Sequence, residues 1–82
     1  GVLKGRMMEF DQELDARGLM CPLPILKTKV ALDGMRSGEV LKVVSTDAGS
    51  VRDMEAFALH TRNVLLDSLA DGENYFYYLR KT

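Results

Sequence analysis

The stretch Leu14-Asp15-Ala16-Arg17-Gly18-Leu19-Met20-Cys21-Pro22-Leu23-Pro24 joins a strand-like segment to a helix-like one, and the fold is read outward from it. Upstream, Met8, Phe10 and Leu14 are spaced by two or four. That partial alternation predicts a first strand over residues 8–14 with one buried face, closed by a loop at Asp15-Ala16-Arg17-Gly18. Downstream, two prolines flank Leu23. Proline is tolerated in the first turn of a helix, whose N–H groups have no intrahelical acceptor. The residue before a proline is pushed toward the extended angles that an N-cap adopts. Cys21 is therefore expected at the N-cap and Pro22 at the first helical position. Leu23 also precedes a proline, so the regular helix starts either at Pro22 or only at Pro24.

The helix is expected to run over residues 22–33. Leu23, Leu26 and Val30 form its apolar stripe, Ile25 and Leu32 lie beside it, and Lys27, Thr28, Lys29 and Asp33 face away. Gly34 stands where a left-handed residue ends a helix, with Lys29 near the negative end. Residues 39–45 (Glu-Val-Leu-Lys-Val-Val-Ser) predict a strand nearly buried on both sides. Asp47-Ala48-Gly49-Ser50 is a turn and helix start, and Ser50 with Asp53 has capping-box spacing. Val51, Met54, Phe57, Ala58 and Thr61 give the second helical stripe, through about residue 62. Residues 64–69 form a third strand. Asp71-Gly72 signals a hairpin into a fourth strand over 75–80, with Phe76, Tyr78 and Arg80 on one face and Tyr75, Tyr77 and Leu79 on the other.

The order β-α-β-α-β-β predicts an α/β (α+β) two-layer sandwich. Its sheet is mixed and four-stranded, with a right-handed parallel crossover, a terminal hairpin and both helices on one face. The open face is expected to carry Tyr and long polar chains such as Lys42. Residues 1–7 have no clear period and are expected to be a disordered or processing-derived tail; residues 8–82 form the single domain.

The chain has 82 residues, and 11 Lys+Arg against 12 Asp+Glu give a formal charge of −1. Near-balanced charge removes the bulk electrostatic argument for nucleic acid or an anionic membrane. The longest apolar runs are a few residues, far short of the roughly 20 needed to cross a bilayer. No basic-then-apolar leader opens the chain, and a cytoplasmic location is expected. One Cys excludes an internal disulfide and a Cys-rich zinc site. No phosphate loop, paired-carboxylate site or metal-ligand cluster stands out, so neither metal nor cofactor is expected. A domain this small has little room for an enclosed pocket, which places any chemistry at an exposed rim.

Cys21 carries that chemistry. At a helix start its sulfur lies at the positive end of the dipole, where the N–H groups of Leu23 and Ile25 are left to point at it. Helix ends and nearby cations lower a Cys pKa, and Arg17 is the nearest cation in sequence, so a thiolate is expected. Pro22 and Pro24 stiffen the backbone and hold the sulfur outward. Free Cys is among the most buried residue types, so an inert core thiol is the competing interpretation, and the double-proline context opposes it. A C-x-x-C dithiol is excluded because Pro24 occupies the second position. A Cys-His pair would need His60, expected toward the far end of the second helix. What remains is carriage: the sulfur accepts a group, holds it and passes it on, with a persulfide as the natural cargo of a lone accessible thiol. A redox sensor cycling through sulfenic acid is a minor alternative.

The run Leu14-Asp15-x-Arg17-Gly18-Leu19-x-Cys21-Pro22-x-Pro24 resembles the signature of the TusA/SirA family of small sulfur-carrier proteins, with its C-P-x-P motif. The likeness extends to Gly38-Glu39, Thr46-Asp47, Arg52-Asp53 and the Tyr-rich last strand ending Leu79-Arg80-Lys81. Ala48 and Met54-Glu55 stand where family members often carry Pro and Ile-Pro. The resemblance implies a two-layer sandwich like the C-terminal domain of bacterial translation initiation factor three. It also implies that Cys21 accepts sulfane sulfur from a cysteine desulfurase or a rhodanese and passes it to an acceptor protein. The routes it implies are tRNA thiolation, molybdenum-cofactor assembly and sulfur oxidation. It further implies partner-binding roles for Asp47 and Arg52. Pro22, Pro24, Arg17 and Gly18 are expected to support Cys21. The expected activity is that of a sulfurtransferase working as a persulfide relay with partner enzymes, on a monomer with no membrane or nucleic-acid partner. The rival function is a non-catalytic regulatory or RNA-interacting module that uses the open sheet face and its tyrosines.

Overall fold

In the computed structural model, which describes residues 9–82, six elements follow in the expected order. They are β1 (Gln12–Ala16), α1 (Leu23–Asp33), β2 (Val40–Ser45), α2 (Ser50–Thr61), β3 (Val64–Asp71) and β4 (Asn74–Arg80). The expected tail over 1–7 and a strand start at Met8 lie outside the described residues. β1 begins later than its apolar spacing suggested and continues through Asp15 and Ala16. Its partner sets that register: β1 runs parallel to β2, with Leu14 opposite Val43 and Ala16 opposite Ser45.

The sheet order is β1-β2-β4-β3, with β4 antiparallel to both neighbours. The mixed four-stranded sheet and terminal hairpin are as expected. The hairpin turn comes one residue later than read, because Asp71 pairs with Asn74 and Gly72 opens the turn at φ +65°. A positive φ there suits glycine, which has no Cβ to clash. β3 is two residues longer than expected and bulged between Leu65 and Asp67.

Alternation sorts the strands into two faces. Leu14, Ala16, Leu41, Val43, Tyr77 and Leu79 turn toward the helices and pack with Leu32, Met54, Phe57 and Ala58. Burying one such Leu or Val contributes about 1.5–3 kcal/mol. The opposite face carries Lys42, whose ammonium lies 5.2 Å from the Phe10 ring centre, 5.4 Å from that of Phe76 and 3.8 Å from Glu13. This face offers no open tyrosine platform of the kind the rival RNA-interacting function would need. Tyr78 is buried under that cluster, and Tyr77 is buried on the helix side.

Three local expectations are corrected. On α1 the stripe Leu23, Leu26 and Val30 is exposed at 44%, 51% and 73%, while Pro24, Thr28 and Leu32 are buried. Thr28 can be buried because its hydroxyl donates to the Pro24 carbonyl at 2.7 Å. Gly34 ends α1 at φ −91°, not in the left-handed region. Ser50 does not cap α2: Gly49 stands there, and the Ser50 hydroxyl donates to the Asp47 carbonyl at 2.6 Å. Lys29 does sit near the end of α1, where it pairs with Asp33 at 2.8 Å. No helix among the described residues is long and apolar enough to cross a membrane.

Candidate functional site

Because β1 and β2 are parallel and end side by side, the loops that follow them leave the sheet at the same rim. Each leads to a helix start, so the first turns of α1 and α2 are neighbours. Two hydrogen bonds join the loops. The Gly18 N–H donates to the Thr46 hydroxyl at 2.9 Å, and the Cys21 N–H donates to the Asp47 carboxylate at 3.1 Å. Gly18 has φ +80°, a backbone angle that bulkier residues rarely adopt, and this explains glycine there. The other Asp47 carboxylate oxygen accepts the Gly49 N–H at 3.2 Å, so one side chain fixes both the cysteine loop and the start of α2.

This loop is anchored to the core. Ser50 has one hydroxyl proton, which goes to the Asp47 carbonyl. The buried Tyr77 hydroxyl, 2.6 Å from the Ser50 oxygen, must therefore be the donor of that second bond. A continuous chain of contacts thus runs from the central strand through Ser50 and Asp47 to the backbone of Cys21.

Cys21 is exposed, as expected of a working thiol. Its position is one residue earlier than read. Pro22 is the N-cap, Leu23 opens the helix and Pro24 lies in its first turn. The Leu23 N–H donates to the Met20 carbonyl at 2.8 Å and so is not aimed at the sulfur.

The electrostatics at this sulfur run against the thiolate expectation. Its thiol is pushed up from the ordinary value, first by the Asp53 carboxylate that lines the same hollow, then by partial loss of solvent and by the negative charges of Asp53 and Asp47. Arg17 does not counter them. Its guanidinium and its own N–H are all engaged by Asp15, at 2.9–3.0 Å. A helix N-terminus acts as only about half a positive charge, which two carboxylates outweigh. Arg52 is exposed on the first turn of α2, and among the described residues no ion pair ties it to the rim.

Two residues beside the sulfur were misjudged in the sequence. Asp53, which the sequence places only at capping-box spacing from Ser50, lines the hollow beside Cys21. His60 was expected far from Cys21, yet it lines the same shallow hollow, of about 370 Å³, together with Pro22, Ile25, Asp53, Ala56 and Phe57. Asp53, Ala56, Phe57 and His60 share one face of α2, because residues three, four and seven apart stack along a helix. That face leans on the first turn of α1. The spacing of Asp53 to Ala56, Phe57 and His60 is the signal in the sequence that puts them on one helix face. Among the described residues no cluster of His, Cys, Asp and Glu is arranged to hold a metal ion.

The chain is similar to several known proteins. The family model described as Sulfurtransferase TusA matches residues 12–81. The sulfur carrier protein TusA of Allochromatium vinosum is 51% identical over 76 residues, which is 93% of this chain and 100% of that protein. The Bacillus subtilis protein YrkF is 45% identical over 75 residues, covering 92% of this chain but only 40% of that longer protein. A crystal structure of a SirA-like protein from Desulfitobacterium hafniense superposes with a TM-score of 0.75 over 85% of this chain and 96% of that one. At 22% identity this likeness speaks for the fold alone.

Proposed function

The chain belongs to the TusA sulfurtransferase family, and from that premise we propose that it is a sulfur carrier whose Cys21 receives a persulfide sulfur and relays it. The observation that carries this is one exposed thiol, the chain's only Cys, on a rim open to a partner's active site. Residues 8–82 act as the single carrier domain.

In the loading step the Cys21 thiolate attacks the outer sulfur of a donor persulfide. A new S–S bond forms on Cys21, the donor's S–S bond breaks, and the donor cysteine leaves as a thiol carrying the proton that Cys21 gave up. Donor–S–SH and Cys21–SH become donor–SH and Cys21–S–SH, with no external oxidant or reductant. Unloading repeats the exchange with an acceptor thiol as nucleophile. The donor is a cysteine desulfurase or a rhodanese. The acceptor is a protein thiol of tRNA thiolation, molybdenum-cofactor assembly or sulfur oxidation, and the cytoplasm is the place of work.

Each supporting residue has a role in this exchange. Asp47 holds the Cys21 backbone, Gly18 supplies the turn before it, and Pro22 and Pro24 stiffen the helix entry. Arg17, already paired, shapes the loop rather than charging the sulfur, while Arg52 is free on the rim to meet a partner. The RNA-binding alternative loses its platform, since Tyr77 and Tyr78 are buried and Lys42 is enclosed by Phe10, Phe76 and Glu13.

Incubation with a cysteine desulfurase and cysteine, followed by intact-mass measurement, should add the mass of one sulfur atom to the wild type and none to Cys21→Ser. An unmodified wild type with both desulfurase and rhodanese donors would refute the carrier function.

A further inference from the structure

Six large apolar side chains are exposed among the described residues, and four of them, Met20, Leu23, Leu26 and Val30, belong to the turn beside Cys21 and the helix that leads away from it. The Met20 carbonyl accepts the Leu23 N–H, so turn and helix are continuous. Leu23, Leu26 and Val30 are three and four residues apart and share one face of α1. Single exposed apolar residues are ordinary, whereas a contiguous patch marks a contact surface. Together with Lys27 and Ala31 they wall a groove of about 420 Å³, and its other side is Leu14 of β1. A cleft is thus left between α1 and the edge of the sheet.

β1 is that edge. β2 pairs with one side of it, and no strand among the described residues pairs with the other. Alternate backbone N–H and C=O groups of a strand face each side, so β1 offers an unpaired row beside the groove. A segment added there would lie about 4.8 Å from β1, with every second side chain turned into the groove. A helix laid in the same groove would cover the apolar residues and leave the edge unpaired. Lys27 lines the groove, and among the described residues no ion pair engages it, whereas Lys29 is tied to Asp33.

We propose that the groove between α1 and β1 docks an extended segment of the protein that exchanges sulfur with Cys21. The segment joins the free edge of β1 as a fifth strand, sets large apolar side chains against Leu23, Leu26 and Val30, and brings a carboxylate to Lys27. This rests on the identification of Cys21 as the exchanging sulfur. Cys21 stands in the loop that joins β1 to α1, so the two walls of the groove meet at the sulfur. A partner whose cysteine reaches the rim already stands at the open end of the groove, and that continuity assigns the groove to the exchange partner.

Two donors separate docking from sulfur chemistry. A cysteine desulfurase with cysteine loads Cys21 through a protein contact. Glutathione persulfide loads it without one: its outer sulfur passes to Cys21, and glutathione leaves as the thiol with the Cys21 proton. Leu26→Asp puts a charge in the groove at an exposed position, outside the core. Its loading by the desulfurase, below saturation, should slow about tenfold, the loss expected of one interface anchor. Its loading by glutathione persulfide should be unchanged. Leu59→Asp, exposed on α2, should leave both rates alone. In the wild type, deuterium uptake by the outward-facing amides of β1 should slow when the desulfurase is added, and in Leu26→Asp it should not.

Equal desulfurase loading of Leu26→Asp and wild type overturns the proposal. Slowing with both donors overturns it too, since the defect then lies at the sulfur or in the fold, as does an equal loss in Leu59→Asp. Unchanged uptake at β1 in the wild-type complex overturns the strand pairing. A wild type that elutes as a dimer, and becomes a monomer in Leu26→Asp, gives the groove to a second copy and overturns the assignment to a partner. Wild type and Leu26→Asp loaded alike by both donors would fail this proposal and leave the carrier function standing. A wild type loaded by neither donor would fail the carrier function itself.

Discussion

Asp15 explains why the nearest cation does not serve the sulfur. Its carboxylate accepts three hydrogen bonds from Arg17, which lower its pKa to about 2. An unfolded Asp titrates at about 3.9. The folded value is depressed, so the pair's contribution to stability is present above the unfolded pKa and is lost as pH falls through about 2. Both side chains are exposed, which keeps that contribution small. An NMR titration of the Asp15 side-chain carboxyl should show a midpoint near 2, and Arg17→Gln should return it toward the ordinary carboxylate value. A midpoint unmoved by that substitution would break the account of Arg17 as a paired loop residue. At this scale the site was only partly legible. The C-P-x-P run and its glycine announced a working sulfur, because proline and glycine constrain the backbone locally. The charge on that sulfur was not legible, because it depends on which carboxylates other elements bring to the rim.

Element by element, legibility followed how strongly each segment's pattern pointed in one direction. β2 and β4 alternate or are continuously apolar between turn residues, and both were placed to within a residue. α1 is different. Its apolar residues lie all round the helix, so periodicity could not choose a face, and the chosen one was wrong. The true face includes a proline and a threonine, both poor hydrophobic markers, and Thr28 is hidden only because its hydroxyl bonds within the helix. The correction makes a quantitative prediction. Leu32→Ala removes a fully buried side chain from the core and should cost about 2–5 kcal/mol in urea unfolding. Val30→Ala, on the exposed face, should stay within about 0.5 kcal/mol of wild type. Equal losses in the two variants would return α1 to the face that hydropathy alone suggested.

At the scale of the whole molecule, the strand order places β4 inside the sheet, and β4 is where core and rim are tied together. The parallel pair β1 and β2 creates the rim. The antiparallel return through β4 sends Tyr77 beneath it, and that ring's hydroxyl reaches Ser50, whose own proton holds the Asp47 carbonyl. The topology was predictable from element order and connection rules, but this polar thread was not, since it joins residues 27 apart in sequence through a single hydroxyl pair. If the thread positions the cysteine loop, Tyr77→Phe should loosen it at a distance. The substitution keeps the ring in the core and removes one buried hydrogen bond, at a cost of about 1 kcal/mol. Hydrogen exchange is the measurement that locates the effect, because it resolves local opening from global unfolding. The Cys21 N–H, whose acceptor is Asp47, should exchange about fivefold faster in Tyr77→Phe, the factor corresponding to about 1 kcal/mol. In Val30→Ala, which touches neither core nor thread, it should be unchanged. A Cys21 N–H that exchanges at the wild-type rate in Tyr77→Phe would mean that the two loops hold the sulfur without help from the sheet, and that Ser50 and Tyr77 are bonded for packing alone.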